Sequence, residues 1–148
     1  MKFMAAQLKF EDIELDYELP PINREITQEV ISMFGCGSLD FNPIHMDPVW
    51  ARSVGLFMVG KTIGHGQLTI ALLTQVITNW CYREGGNLKS IDIKLIWPLF
   101  SGDTITCGGK IVAKHPRTKE MSFVDIELWA DNQKKKKVAA GKAQVCIP

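Results

Sequence analysis

At 148 residues, with 46% apolar and 22% charged side chains and a formal net charge of +1, the chain has a globular composition and is long enough to bury roughly two thirds of its unfolded surface. Near-neutrality excludes a nucleic-acid binder driven by a basic face. No run approaches the roughly 18 apolar residues of a membrane span. Four cysteines without a CxxC pair, or a histidine at ligand spacing, indicate neither a zinc site nor a disulfide framework. Free thiols fit a reducing compartment, and the amino terminus, MKFMAAQLKFEDIELDYELP, lacks the apolar run and cleavage site of a secretory signal. A single domain over residues 1–148 and a cytoplasmic location are expected.

In chain order, IELDYEL, Ile13 to Leu19, alternates apolar with acidic residues and predicts a strand ended by Pro20 and Pro21. Thr27 is placed as the N-cap of a helix carrying Val30, Ile31 and Phe34 on one face, with Gly35 and Gly37 closing it. An irregular loop follows, and DPVWARSVG then predicts a short helix with Asp47 as N-cap, Pro48 in its first turn and Gly55 as stop. GHGQLTIALLTQVITNW, Gly64 to Trp80, is apolar nearly all round, which predicts a buried helix, at about 15 residues too short for a bilayer. The carboxyl half holds strand-like runs at KSIDIKLIWPLF, TITCGGKIVAK, EMSFVDIELWA and KVAAGKAQVCI, separated by PLFSGD, KHPRTK and ADNQKK. An α+β domain is expected, with an antiparallel sheet joined by short hairpins and curled around the one apolar helix.

The stretch GSLDFNPIHMDPVWA sets Asp40, Asn42, Pro43 and His45 within six positions. Asn42-Pro43 bends the backbone, so Asp40 and His45 can converge on one water, the arrangement general acid–base chemistry requires. The same residues also fit a structural reading, an Asx turn and a hydrogen-bonded histidine. Lys134 to Lys137 fall at a turn and read as a solvated loop or as a contact for an anionic ligand or partner. His115 beside Pro116 reads as surface, Trp80 and Trp97 as core, and Asp103 as a turn residue.

SLDFNPIHMDPVWARSVG resembles the signature of the MaoC-like hydratases, a branch of the hot-dog fold that includes (R)-specific enoyl-CoA hydratases. Ser38, Asp40, Asn42, Pro43, His45, Asp47 and Ala51 agree in order and spacing, and His65, Gly66 and Leu68 match a second block opening the central helix. WPLFSGDTI is similar to a third block, so the likeness spans most of the chain after about residue 24. Leu39 stands where the family has Gly, and Gln67 where an apolar residue is common; glycine there marks a backbone angle that leucine resists.

The resemblance implies a hydratase or dehydratase that adds water reversibly across the C2=C3 bond of an enoyl-CoA or enoyl-carrier thioester. Asp40 and His45 are the implied catalytic pair, the Gly66 N–H the oxyanion donor, and Asn42 and Pro43 the residues that shape the loop. His65 is assigned to packing or hydrogen bonding. No metal or cofactor is required, no nucleic acid or membrane partner is expected, and a homodimer or an oligomer of dimers is. The competing readings are a hot-dog acyl-CoA thioesterase and a subunit of a heteromeric 3-hydroxyacyl dehydratase.

Overall fold

The structure is a computed structural model and describes residues 8–117 and 121–148. The first seven residues, read above as part of a chain start without a signal, and Thr118 and Lys119 of the KHPRTK turn lie outside the described residues. Five strands, β1 (Glu18–Ile26), β2 (Asn87–Leu95), β3 (Asp103–His115), β4 (Ser122–Asn132) and β5 (Lys137–Ile147), form one antiparallel sheet in the order β1-β3-β4-β5-β2. Among the described residues four α-helices precede or interrupt it, α1 (Gln28–Ser38), α2 (Pro43–Met46), α3 (Pro48–Ser53) and α4 (Gly66–Cys81), besides three single-turn 3-10 helices.

The long α4 packs across the sheet. Its Leu68, Leu72, Leu73, Val76 and Ile77 are buried against Ile105, Ile111, Ile126 and Leu128. Each such side chain removed from water stabilises the fold by roughly 1.5–3 kcal/mol, so Leu73→Ala should cost about 2–5 kcal/mol once the cavity is included. The helix is not buried all round, because Gln67, Ala71, Gln75 and Asn79 form an exposed row one turn apart. The sheet covers one side only, and the polar residues of the apolar-rich sequence gather on the other.

The last three strands lie where the alternation places them, but one connection differs. Only β3–β4 and β4–β5 are hairpins; β2 pairs with β5 at the far edge, so residues 96–102 cross from one side of the sheet toward the other. The first strand is displaced. Leu15 and Tyr17 are 56% and 43% exposed and Asp16 has φ 65°, whereas β1 runs through Pro20 and Pro21 to Ile26. Prolines are tolerated there because β1 is an edge strand with a register shift between Leu19 and Ile22.

Helix α1 also runs past both glycines that were expected to end it. A Cβ on Gly35 would lie 2.7 Å from Met46 Sδ and 3.2 Å from the Asp40 carbonyl oxygen. Gly35 thus serves close approach to the following loop, not termination. Trp80 packs at the edge of the core as expected, but Trp97 is 42% exposed: β2 ends at Leu95, and Pro98 follows. His115 ends β3 at the surface, its Nε2–H donating to Asp125 Oδ2 at 2.8 Å. Asp103 is buried, and its Oδ2 accepts from the Phe100 N–H, which makes it the turn residue expected.

Candidate active site

The left-handed turn sits at Leu39. With φ 60° and ψ 22°, this residue is the C-cap of α1 and turns the chain sharply into Asp40. The family glycine at this position has a visible purpose, and here leucine adopts the angle with its side chain 76% exposed. Asp40 Oδ1 then accepts from the Asn42 N–H at 3.2 Å, and Asn42 Oδ1 accepts from the Ile44 N–H at 3.2 Å as the N-cap of α2. Pro43, in the first turn of α2, has no N–H to leave unsatisfied. The segment expected to be irregular is therefore two capped turns, and His45 projects from the second.

These turns bring His45 Nε2 to 3.8 Å from Asp40 Oδ2. His45 Nδ1 lies 2.7 Å from the Ile63 carbonyl oxygen, which can only accept, so Nδ1 donates there, and the tautomer that this bond selects turns the Nε2 lone pair toward the carboxylate. Two acceptors at that separation leave room for one shared donor, such as a water giving one hydrogen to each. The ring is nearly buried while the Asp40 side chain is 46% exposed, so one partner is fixed and the other faces solvent.

A second set of bonds holds His45 from behind. Gln28 Nε2 donates to the His45 carbonyl oxygen at 2.9 Å, and Gln28 Oε1 accepts from the fully buried Thr62 hydroxyl. The Ile63 N–H donates to the Ile44 carbonyl at 3.0 Å. Residues 62–63 thus grip residues 44–45 through main chain, ring and the Gln28 amide together. Nothing in the sequence marks Gln28 except its place in the first turn of α1.

His65 lies beside the pair. It is 1% exposed and stacks on His45 with ring centroids 3.9 Å apart. Its Nε2 donates to the Asp40 carbonyl at 3.1 Å, lies 3.9 Å from Asp40 Oδ2, and leaves Nδ1 buried without a partner. The expectation that it packs and hydrogen-bonds is met, but it does so inside the pair. Asp40, His45 and His65 offer ligand atoms within 4.8 Å of one another. As a metal set they are poor, because stacked rings direct their in-plane lone pairs side by side instead of toward one ion, and His65 Nε2 already holds a carbonyl.

Gly66 follows His65 as the first residue of α4, so its N–H has no intrahelical acceptor and stands at the positive end of the helix. It opens into a cleft of about 270 Å³ whose lining also includes His45, Thr69, Leu95, Trp97 and Leu99. A Cβ at Gly66 would run into Leu95 Cδ1, so the wall stands close against the backbone. The larger hollow of about 640 Å³ lies on the outer strand face around Asp92, Lys94 and Glu127, with none of these groups.

A family model described as MaoC like domain matches residues 14–132. The chain belongs to the MaoC-like domain family. It is 27% identical over 140 residues to an (R)-specific enoyl-CoA hydratase of Rhodospirillum rubrum, covering 94% of this chain and 91% of that one. It is also 28% identical over 127 residues to fatty acid synthase subunit beta of Gibberella zeae, covering 85% of this chain but only 6% of that much longer protein. Among solved structures, the R-hydratase of Pseudomonas aeruginosa in its unliganded form superposes with a TM-score of 0.82 at 22% identity, covering 96% and 86% of the two chains. The MaoC-like fold, a sheet around a central helix in the hot-dog manner, is thereby shared. No helix among the described residues is long and apolar enough to cross a membrane.

Proposed function

We propose that this protein is a hydro-lyase that adds water reversibly across the C2=C3 bond of an enoyl thioester. The observation that carries the reading is the 3.8 Å approach of Asp40 Oδ2 to a His45 Nε2 whose proton is held on the far nitrogen. A water between them gives one hydrogen to each acceptor and turns a lone pair toward the cleft. As its oxygen bonds to C3, its proton passes to the pair, the double-bond electrons move toward the thioester carbonyl, and the Gly66 N–H receives the charge developing on that oxygen. The proton is then returned to C2, and the carbonyl re-forms. Such a donor supplies roughly 3 kcal/mol of barrier lowering where one has been removed elsewhere.

The hydratase names among the relatives support the same chemistry, with acyl-CoA as the first substrate to try. Purified protein with crotonyl-CoA should lose the enoyl absorbance without releasing free thiol. Thiol release would make it a thioesterase, and no change in either signal would remove the assignment.

The assembly belongs to the same proposal. Strand β2 is an edge strand with its outer side open, ending at the half-exposed Leu95 and followed by the half-exposed Ile96 and Trp97, which suits pairing with a second copy. Sedimentation should give a dimer at micromolar concentration, and a stable monomer would count against it.

A further inference from the structure

The turn between β4 and β5, with the first residue of β5, carries four consecutive exposed lysines, Lys134 to Lys137, and the contacts of Lys136 and Val138 set it against the mouth of the candidate site. The Ile96 and Trp97 N–H groups both donate to the Val138 carbonyl, at 2.8 and 3.1 Å, stitching the cleft-lining segment to the start of β5. Lys136 Nζ lies 2.8 Å from the centroid of the Trp97 ring, and Trp97 lines the same cleft as His45 and Gly66.

The turn is rigidly built. Asn132 Oδ1 accepts from the Lys134 and Lys136 N–H groups at 3.0 Å each, Lys135 takes a left-handed φ of 57°, and the Gln133 amide is tied to Asp103 Oδ1 at 2.7 Å. Among the described residues none of the four lysines forms an ion pair, even though Asp131 lies across the ladder from Lys137. In a protein whose net charge is only +1, this is a local concentration of uncompensated positive charge.

Resting on the hydratase reading above, we infer that Lys134–Lys137 grips the phosphates of a nucleotide-borne thioester while the acyl end enters the cleft. A pantetheine arm separates those phosphates from the reacting carbons, so their site belongs at the rim, not beside Asp40. Ammonium groups act on phosphate as point charges, each weak in water and screened by salt, so the effect comes from several together.

The test compares the wild type with the double variant Lys134→Gln, Lys136→Gln at low ionic strength, using crotonyl-CoA and the phosphate-free crotonyl-pantetheine. Calorimetry of coenzyme A alone runs in parallel. The expected result is a roughly five- to tenfold fall in the ratio of kcat/KM between the two substrates, carried by KM, with Kd for coenzyme A weakened by about the same factor. An unchanged ratio with unchanged Kd overturns the inference. So does a wild type that shows no preference for the phosphate-bearing substrate, as a site built for a protein-borne arm would. If the wild type hydrates neither thioester but binds coenzyme A more tightly than the variant does, the lysine grip stands and the hydratase reading fails.

Discussion

Replacing Gln28 with alanine tests whether the bonds behind His45 position it for chemistry or merely hold the fold together. The substitution strands the Thr62 hydroxyl, which is 0% exposed, and removes the donor to the His45 carbonyl. A buried polar group left unsatisfied costs about 1–3 kcal/mol and an ordinary hydrogen bond about 1 kcal/mol, so a loss of about 2–4 kcal/mol is expected in a urea titration. The His45 ring keeps its bond to the Ile63 carbonyl, but its main chain is released, and a drift on the order of 1 Å in a catalytic group costs about a hundredfold in turnover. Thr62→Val separates the two effects. It removes the hydroxyl but leaves the Gln28 bond to His45, so it should lose about 1 kcal/mol of stability and keep most of kcat. Crotonyl-CoA hydration measured on both variants decides the matter. If Gln28→Ala loses stability while kcat stays within about twofold of wild type, Gln28 is structural and has no positioning role.

Asp40→Asn and His45→Ala should each remove most of the turnover, the exposed Asp40→Asn moving the thermal midpoint little and the buried His45→Ala lowering it by the equivalent of about 1–3 kcal/mol, and the double variant should lose scarcely more turnover than either single, because groups acting on one water are not additive; near-wild-type hydration by both singles would end the catalytic assignment. Gly66→Ala drives a Cβ into Leu95 and should narrow the cleft, lowering kcat/KM, with partial recovery when Leu95→Ala is added; no recovery would point away from the wall. Leu39→Gly relieves a left-handed cost of about 1–2 kcal/mol, offset in part by the entropy of glycine, so urea titration should show stability unchanged or raised by up to about 1 kcal/mol, and a clear loss would contradict the strain argument. Burial pushes the Cys81 thiol up to about 11 and the Cys107 thiol up to about 12. Both are then uncharged in the folded state at neutral pH, so the stability they contribute is complete below the ordinary thiol value of about 8.5 and is lost as pH rises from there through 11 and 12. Thermal midpoints taken up that range should fall, and native alkylation at pH 8 should label the exposed Cys36 before either of them.

What could be read directly from the residues divides along the range of the interactions. β3, β4 and β5 were legible because their alternation is local and their turns carry local signals, and α3 because Asp47 and Pro48 act within one turn. The start of β1 was misplaced because IELDYEL has the right period, while the strand is decided by which residues lie beside β3, prolines included. Gly35 reads as a helix stop until Met46 and the Asp40 carbonyl are seen to press on it. The same division runs through the site. Asp40 and His45 lie five residues apart, and a bend suffices to pair them. His65 reaches Asp40 across 25 positions and Gln28 reaches His45 across 17, both through hydrogen bonds that no local pattern announces. The pair is thus encoded locally, but its support is supplied by the fold: α1 delivers the amide of Gln28, and the start of α4 delivers His65 and the Gly66 N–H. A short peptide containing SLDFNPIHMD should therefore keep the Asx turn at Asn42 and lose the fixed ring of His45, since the Ile63 carbonyl that sets its tautomer comes from outside that stretch.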